Sequence, residues 1–238
     1  MIDLALRQRG SFSPRALFRS GAAGVWFDPS DLGSMSQNSD GTGAAAVDGP
    51  VGRILDKSGR GNHAVQPLAA ARPMLRRENG LHFLEFAADD SLRAAFAVAQ
   101  PWERVSAIRQ ISWTLFARIY GGANTLAGQL VQAGTAPTIE MRSGANIANP
   151  GLVIGVNGIV TERHNGAASR IAVNAGVPVT GDGGNVAADG ITIGAREGVA
   201  GSNSNIRLYG LVMIGRELSV AEGRMLRGFM AARAGIQF

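Results

Sequence analysis

At 238 residues, 45% hydrophobic and only 17% charged, the chain is long enough for one substantial core and too apolar for a disordered segment. Its net charge of +5 comes from scattered basic residues, of which Lys57 is the single lysine, so a phosphate-tracking stripe and nucleic-acid binding are not expected. The lack of cysteine excludes a disulfide scaffold and a thiolate metal site, and no apolar run is long enough for membrane insertion.

In chain order, residues 1–23 read as an arm. Leu4, Leu6, Leu17 and Phe18 offer anchors for a neighbouring subunit, while Gly10, Pro14 and Gly21 interrupt a long helix. Asp3, Arg7 and Arg9 break the first apolar residues before a secretory core forms, so synthesis in a bacterial cytoplasm is expected. Residues 24–238 read as one main domain. Val25-Trp26-Phe27 begins the strand signals, residues 33–50 are a polar loop, and His82–Phe86 alternates. The strongest period-2 pattern runs over Gln110–Tyr120 and predicts Ile111, Trp113, Leu115 and Ile119 on one buried face. Further strands are predicted over Leu126–Gln132, Thr138–Arg142, Leu152–Val156, Ile159–His164, Arg170–Asn174, Ile191–Ala195 and Ile206–Ile214, with a hairpin turn at Asn157-Gly158. Near the end, Ser219 and Glu222 form a capping box, Met225, Leu226, Phe229 and Met230 form an apolar face, and Gly235 is placed to stop the helix.

Thirty-three glycines between short strands point to a mostly β, antiparallel two-sheet jelly-roll sandwich with a short C-terminal helix. The order Trp26-Phe27-Asp28-Pro29-Ser30-Asp31-Leu32, then Asp56-Lys57-Ser58-Gly59-Arg60-Gly61-Asn62-His63, then Leu84-Glu85-Phe86 with Asp89-Asp90-Ser91-Leu92, resembles the opening of concanavalin A-like (laminin-G-like) domains. The domains in question belong to phage, prophage or gene-transfer-agent-like virion proteins. Arg216, Leu218, Ser219 and Glu222 resemble the start of that family's last helix. Phe86-Ala87-Ala88 stands where the family has Phe-Asp-Gly, which departs from its loop pattern.

The resemblance implies a non-enzymatic virion surface or adhesion protein, a spike, fibre or decoration, that binds host cell-surface polysaccharide. A purely structural virion subunit is the alternative, and a glycan-degrading enzyme ranks last. Its expected location is a virion or phage-like particle, with other virion proteins bound through the arm and a homo-oligomeric state. No paired carboxylates suit glycoside hydrolysis, because Glu140 and Glu162 stand alone on their strands, and no Gly-x-Ser-x-Gly elbow is present. His63, His82 and His164 lack metal spacing. No cofactor is expected; Asp182, Asn185, Asp189, Asn203 and Asn205 in Gly-rich loops leave a rim calcium ion as the alternative. The expected ligand-binding residues are Phe116, Arg118 and Tyr120 on one strand face, with Arg196, Asn203 and Asn205 from a rim loop.

Overall fold

The computed structural model describes residues 12–87, 89–123, 127–196 and 202–237. In chain order the strands are β1 (Gly24–Phe27), β2 (Met35–Ser36), β3 (Arg53–Ile54), β4 (Ala64–Val65), β5 (Met74–Glu78), β6 (Leu81–Phe86), β7 (Leu92–Val98), β8 (Trp102–Gln110) and β9 (Arg118–Gly121). They continue as β10 (Gln129–Gln132), β11 (Ile139–Arg142), β12 (Asn146–Asn149), β13 (Asn157–His164), β14 (Ser169–Val173), β15 (Val179–Gly181), β16 (Ala188–Ile193) and β17 (Ile206–Ile214). A single α-helix, α1 (Val220–Arg233), follows.

The strands make two antiparallel sheets. One runs β15-β14-β13-β8-β17-β6-β5, with β1 also paired to β17; the other runs β12-β11-β10-β9-β16-β7-β4-β3-β2. The sandwich with its one C-terminal helix is as the sequence predicts. Alternate residues of each strand face inward, so Leu84, Ile108, Leu130, Ile191 and Leu208 fill a core between the sheets. A second core lies between α1 and the other face of the first sheet. There Leu226, Met230 and Ala231 of the helix meet Val105, Ala107, Ile159, Tyr209 and Val212. At Gly210, beside a bulge in β17, a Cβ would stand 3.0 Å from Met230 Sδ, so glycine lets the helix side chain settle close to the strand.

Several expected boundaries move. The Gln110–Tyr120 strand does not form: β8 ends at Gln110 and residues 111–117 are an irregular connection, with Ile111 and Leu115 exposed and Trp113 half-buried. Scattered backbone bonds, such as Ile111 N to the Asn205 carbonyl and Phe116 N to the Gln132 carbonyl, and side-chain bonds satisfy the connection in place of a regular ladder. Gln132 Oε1 accepts from Thr114 N at 3.0 Å, and Trp113 Nε1 donates to the Thr138 carbonyl at 3.1 Å. Leu152–Val156 is likewise turn and loop, and Asn157-Gly158 opens β13 rather than making a hairpin. Leu17 and Phe18, expected to anchor another protein, pack into the second core of their own chain. Leu4 and Leu6 lie outside the described residues, as does Leu126. On α1, Met225 is exposed rather than part of the packed face.

Candidate functional site

The six residues expected at a binding site do not share one surface. Phe116 is 53% exposed and holds φ +66°, a left-handed conformation uncommon for an aromatic residue. Arg118 bridges to Asn203, and Asn205 Nδ2 donates to Ser112 Oγ at 3.0 Å, so Phe116, Arg118, Asn203 and Asn205 gather at one end of the sandwich. Burial, with the charges of nearby Arg142 and Arg196, pushes the Arg118 guanidinium below its ordinary pKa. Arg196 is thus part of the same neighbourhood, although residues 197–201 of its loop lie outside the described residues. Tyr120 does not join them. It is fully buried in the inter-sheet core beside Leu130 and Ile193 of the flanking strands, with the Arg104 guanidinium 4.4 Å from its ring centre. The rim is therefore an exposed aromatic beside cations.

Tyr120 instead belongs to a polar cluster shut between the sheets. Arg104 donates to both oxygens of Glu162 at 2.7 Å, a bidentate pair with both side chains buried. His164 stacks on Trp102 with ring centres 3.6 Å apart. Ser143 Oγ accepts from Gly128 N, so its hydroxyl proton is free to be donated to His164 Nδ1 at 2.8 Å. That assigns the imidazole proton to Nε2, which faces Glu162 Oε1 at 3.6 Å. Burial drives His164 down to about 4, keeping the ring neutral. Burial alone would raise the Glu162 carboxyl, but Arg104 and His164 outweigh it and hold the group below its ordinary value. This Ser-His-Glu order resembles a nucleophilic triad in connectivity, yet Ser143, His164 and Glu162 are all buried and present no surface to a substrate.

A concavity among the described residues lies elsewhere, alongside α1. A groove of about 720 Å³ runs between the helix and the outward faces of β13 and β14. Alternation supplies its floor. In β14, Ile171 and Val173 point into the inter-sheet core while Arg170 and Ala172 point out. Helical spacing supplies one wall. Val220, Gly223, Arg224, Arg227 and Gly228 recur at three- and four-residue intervals, while Leu226 and Met230 turn to the sheet. Residues 174–178 close the far side.

The upper end of the groove is braced by charge. Arg163 contacts buried Glu103 at 2.6 Å and Glu217 at 3.1 Å, and Glu103 Oε1 also accepts from Leu218 N at 3.2 Å. Ser219 and Glu222 form the expected capping box, which fixes where the helix wall starts. Glu103, the one carboxylate lining the groove, is fully occupied by this brace. Arg170, Arg224 and Arg227 by contrast have no carboxylate within ion-pair distance among the described residues. Asn174 Oδ1 caps Ile159 N at 2.8 Å, which points its amide nitrogen away from the strand. The arrangement can hold a ligand through guanidinium, amide and hydroxyl hydrogen bonds above an aliphatic floor of Ala172, Pro178 and Leu218. Sequence reasoning missed this groove because Arg170 is some fifty residues from Arg224 and Arg227. The outward alternation of β14 and the solvent-side pair on α1 were each readable, but not their meeting. As for the loop acids expected near a rim ion, Asp182 Oδ1 accepts from Gly184 N at 2.8 Å, an ordinary turn bond, and Asp189 Oδ1 accepts from Ala123 N at 2.9 Å, a contact between segments distant in the chain.

The chain is a two-sheet antiparallel β-sandwich with a C-terminal helix. No family model and no curated protein matches its sequence. Among solved structures it is similar to the Trypanosoma rangeli sialidase in complex with sialic acid, at 16% identity and a TM-score of 0.56, over 92% of this chain and 34% of that one. It is also similar to an arabinofuranosidase complexed with arabinofuranosyl-alpha-1,2-xylobiose, at 14% identity and a TM-score of 0.60, over 94% of this chain and 65% of that one. The receptor-binding domain of botulinum neurotoxin type G aligns at 11% identity and a TM-score of 0.54, over 75% of this chain and 49% of that one. The chain thus spans about a third of the sialidase. These neighbours correct two expectations. The expected non-enzymatic role and the adhesin function both give way, because the sandwich finds its counterparts in sialidases and an arabinofuranosidase. At these identities the likeness itself establishes the fold.

Proposed function

We propose that this chain is a carbohydrate-handling sandwich of glycoside-hydrolase type, and that a saccharide lies in the groove between α1 and β13–β14. The observation that carries this reading is the groove itself. Its volume of about 720 Å³ falls within the usual range for a small-molecule site and suits a short oligosaccharide. Its lining pairs hydrogen-bonding groups (Thr161, Asn174, Ser219 and the arginines) with small apolar surfaces, which matches the hydroxyl and C–H faces of a sugar ring. The sialidase and arabinofuranosidase neighbours support the same chemistry.

The rim around Phe116 and Arg118 is the other place where a saccharide could be expected, but among the described residues it supplies no concavity comparable to the groove. The test compares calorimetric titration of an oligosaccharide panel with the wild-type chain and with two variants, Ala172→Trp in the groove and Phe116→Ala at the rim. Ala172→Trp should abolish binding with the melting temperature preserved, and Phe116→Ala should leave it unchanged. Loss of binding only in Phe116→Ala would transfer the site to the rim. Reducing-sugar release, measured in the same mixtures, reads any turnover.

A further inference from the structure

We infer that the saccharide held in this groove is an acidic one, bearing carboxylate or sulfate groups; this rests on the saccharide reading above. Four arginines line the groove, but they are not equivalent. Arg163 is spent on Glu103 and Glu217 and serves as masonry. Arg170, Arg224 and Arg227 have no carboxylate partner among the described residues. Arg224 and Arg227 stand one helical turn apart on one wall, and Arg170 rises from the strand floor opposite. Three uncompensated cations thus converge from two elements on one concave space, where low-dielectric walls concentrate their field.

Guanidinium is the side chain whose planar fork matches the two oxygens of a carboxylate or sulfate. A neutral sugar would leave these three cations without an anionic partner in the groove. An acidic sugar relieves them, and its ring still meets Ala172, Pro178 and Val220. The geometry also speaks against a nucleic-acid strand. Single strands are held by cations that track a backbone, interleaved with aromatic rings for the bases, and no aromatic residue lines this groove. The groove's volume far exceeds that of a lone inorganic anion, so a larger ligand carrying the acid group is the fitting occupant.

The experiment uses the full chain and four probes of matched length: an oligogalacturonate, the same oligomer after carboxyl reduction, a sulfated neutral oligosaccharide, and a short single-stranded DNA. Titrations run at low and at physiological ionic strength, because contacts to solvent-exposed cations weaken with salt. The expected result is that one or both acidic oligomers bind at least about tenfold tighter than the reduced oligomer, with salt narrowing the gap. Which acidic oligomer prevails separates carboxylate from sulfate as the natural group. R224Q and R170Q should each remove about tenfold of affinity for the acidic probe and a smaller part of the affinity for the reduced oligomer, so that the preference for the acidic probe shrinks. Melting temperatures check that the substitutions at exposed Arg224 and half-buried Arg170 keep the fold. Equal binding of acidic and reduced oligomers would overturn the acidic assignment while leaving the groove as a saccharide site. No saccharide binding at all would overturn both readings, and DNA competing as well as the acidic oligomer would overturn this one.

Discussion

His164 shows how far one position in a sandwich can depart from its sequence appearance. As a sequence it is a lone histidine at the end of a strand. In the structure it is fully buried, stacked on Trp102 and hydrogen-bonded to Ser143. Burial lowers its pKa from the ordinary 6.5 to about 4. Between those values the unfolded chain takes up a proton that the folded chain refuses. The stability tied to the neutral ring is therefore complete above pH 6.5 and is lost as the pH falls toward 4. Integrated over that window the loss is about 3 kcal/mol. Denaturant titrations at pH 7, 5.5 and 4.5 should show the midpoint falling, and His164→Phe should flatten that fall. A protein that gained stability over the same interval would instead hold His164 as an imidazolium against Glu162. At this scale the sequence was legible for Ser219 and Glu222, whose cap is purely local. It was not legible for Tyr120, because two period-2 steps link Phe116 to it on paper while a left-handed turn at Phe116 separates them in space.

Among the elements, α1 was the easiest to read and β8 the hardest, for physical reasons. The helix announces itself by a reciprocal hydrogen-bonded cap: Glu222 N donates to Ser219 Oγ at 3.2 Å and Ser219 N to Glu222 Oε2 at 2.9 Å. Arg216 adds two contacts to Glu222 at 2.7 and 3.0 Å and, as the largest influence, draws its carboxyl down to about 2. Ser219→Ala should cost about 1 kcal/mol, read as a lower denaturation midpoint at unchanged slope. Because Ser219 also lines the groove, the same variant should loosen the helix wall and weaken saccharide binding; intact affinity would show that the wall holds without its cap. Strand β8 hid because both of its faces are covered. Its inward face carries Trp102, Arg104, Ser106, Ile108 and Gln110, and its outward face Val105 and Ala107 under the second core. Buried polar residues that are satisfied by distant partners, as Arg104 is by Glu162, look like solvent-facing residues to any pattern of hydrophobicity. The neighbouring 111–117 connection has the opposite character, alternating cleanly without forming a strand.

For the molecule as a whole, the sandwich and its single helix were readable from glycine-rich turns and short alternating runs, whereas the second core was not, since it depends on helix and sheet meeting across the length of the chain. The two cores share β8 and β17, so they should melt together. Trp102 reports on one core and Trp26 on the other; variants retaining only one of them, with the remaining tryptophans changed to Phe, should give superimposable unfolding curves. Two separated transitions would mean that α1 and its contacts form a subunit of stability of their own. The pairing of β17 has a further consequence for how the protein comes into being on the ribosome. This strand, residues 206–214, bonds to β8, β6 and β1, three segments made long before it. Until it emerges, the first sheet is two unjoined halves with bare strand edges, open to the wrong partner. Nascent chains arrested before residue 206 should therefore depend on chaperones, and those released past 214 should not.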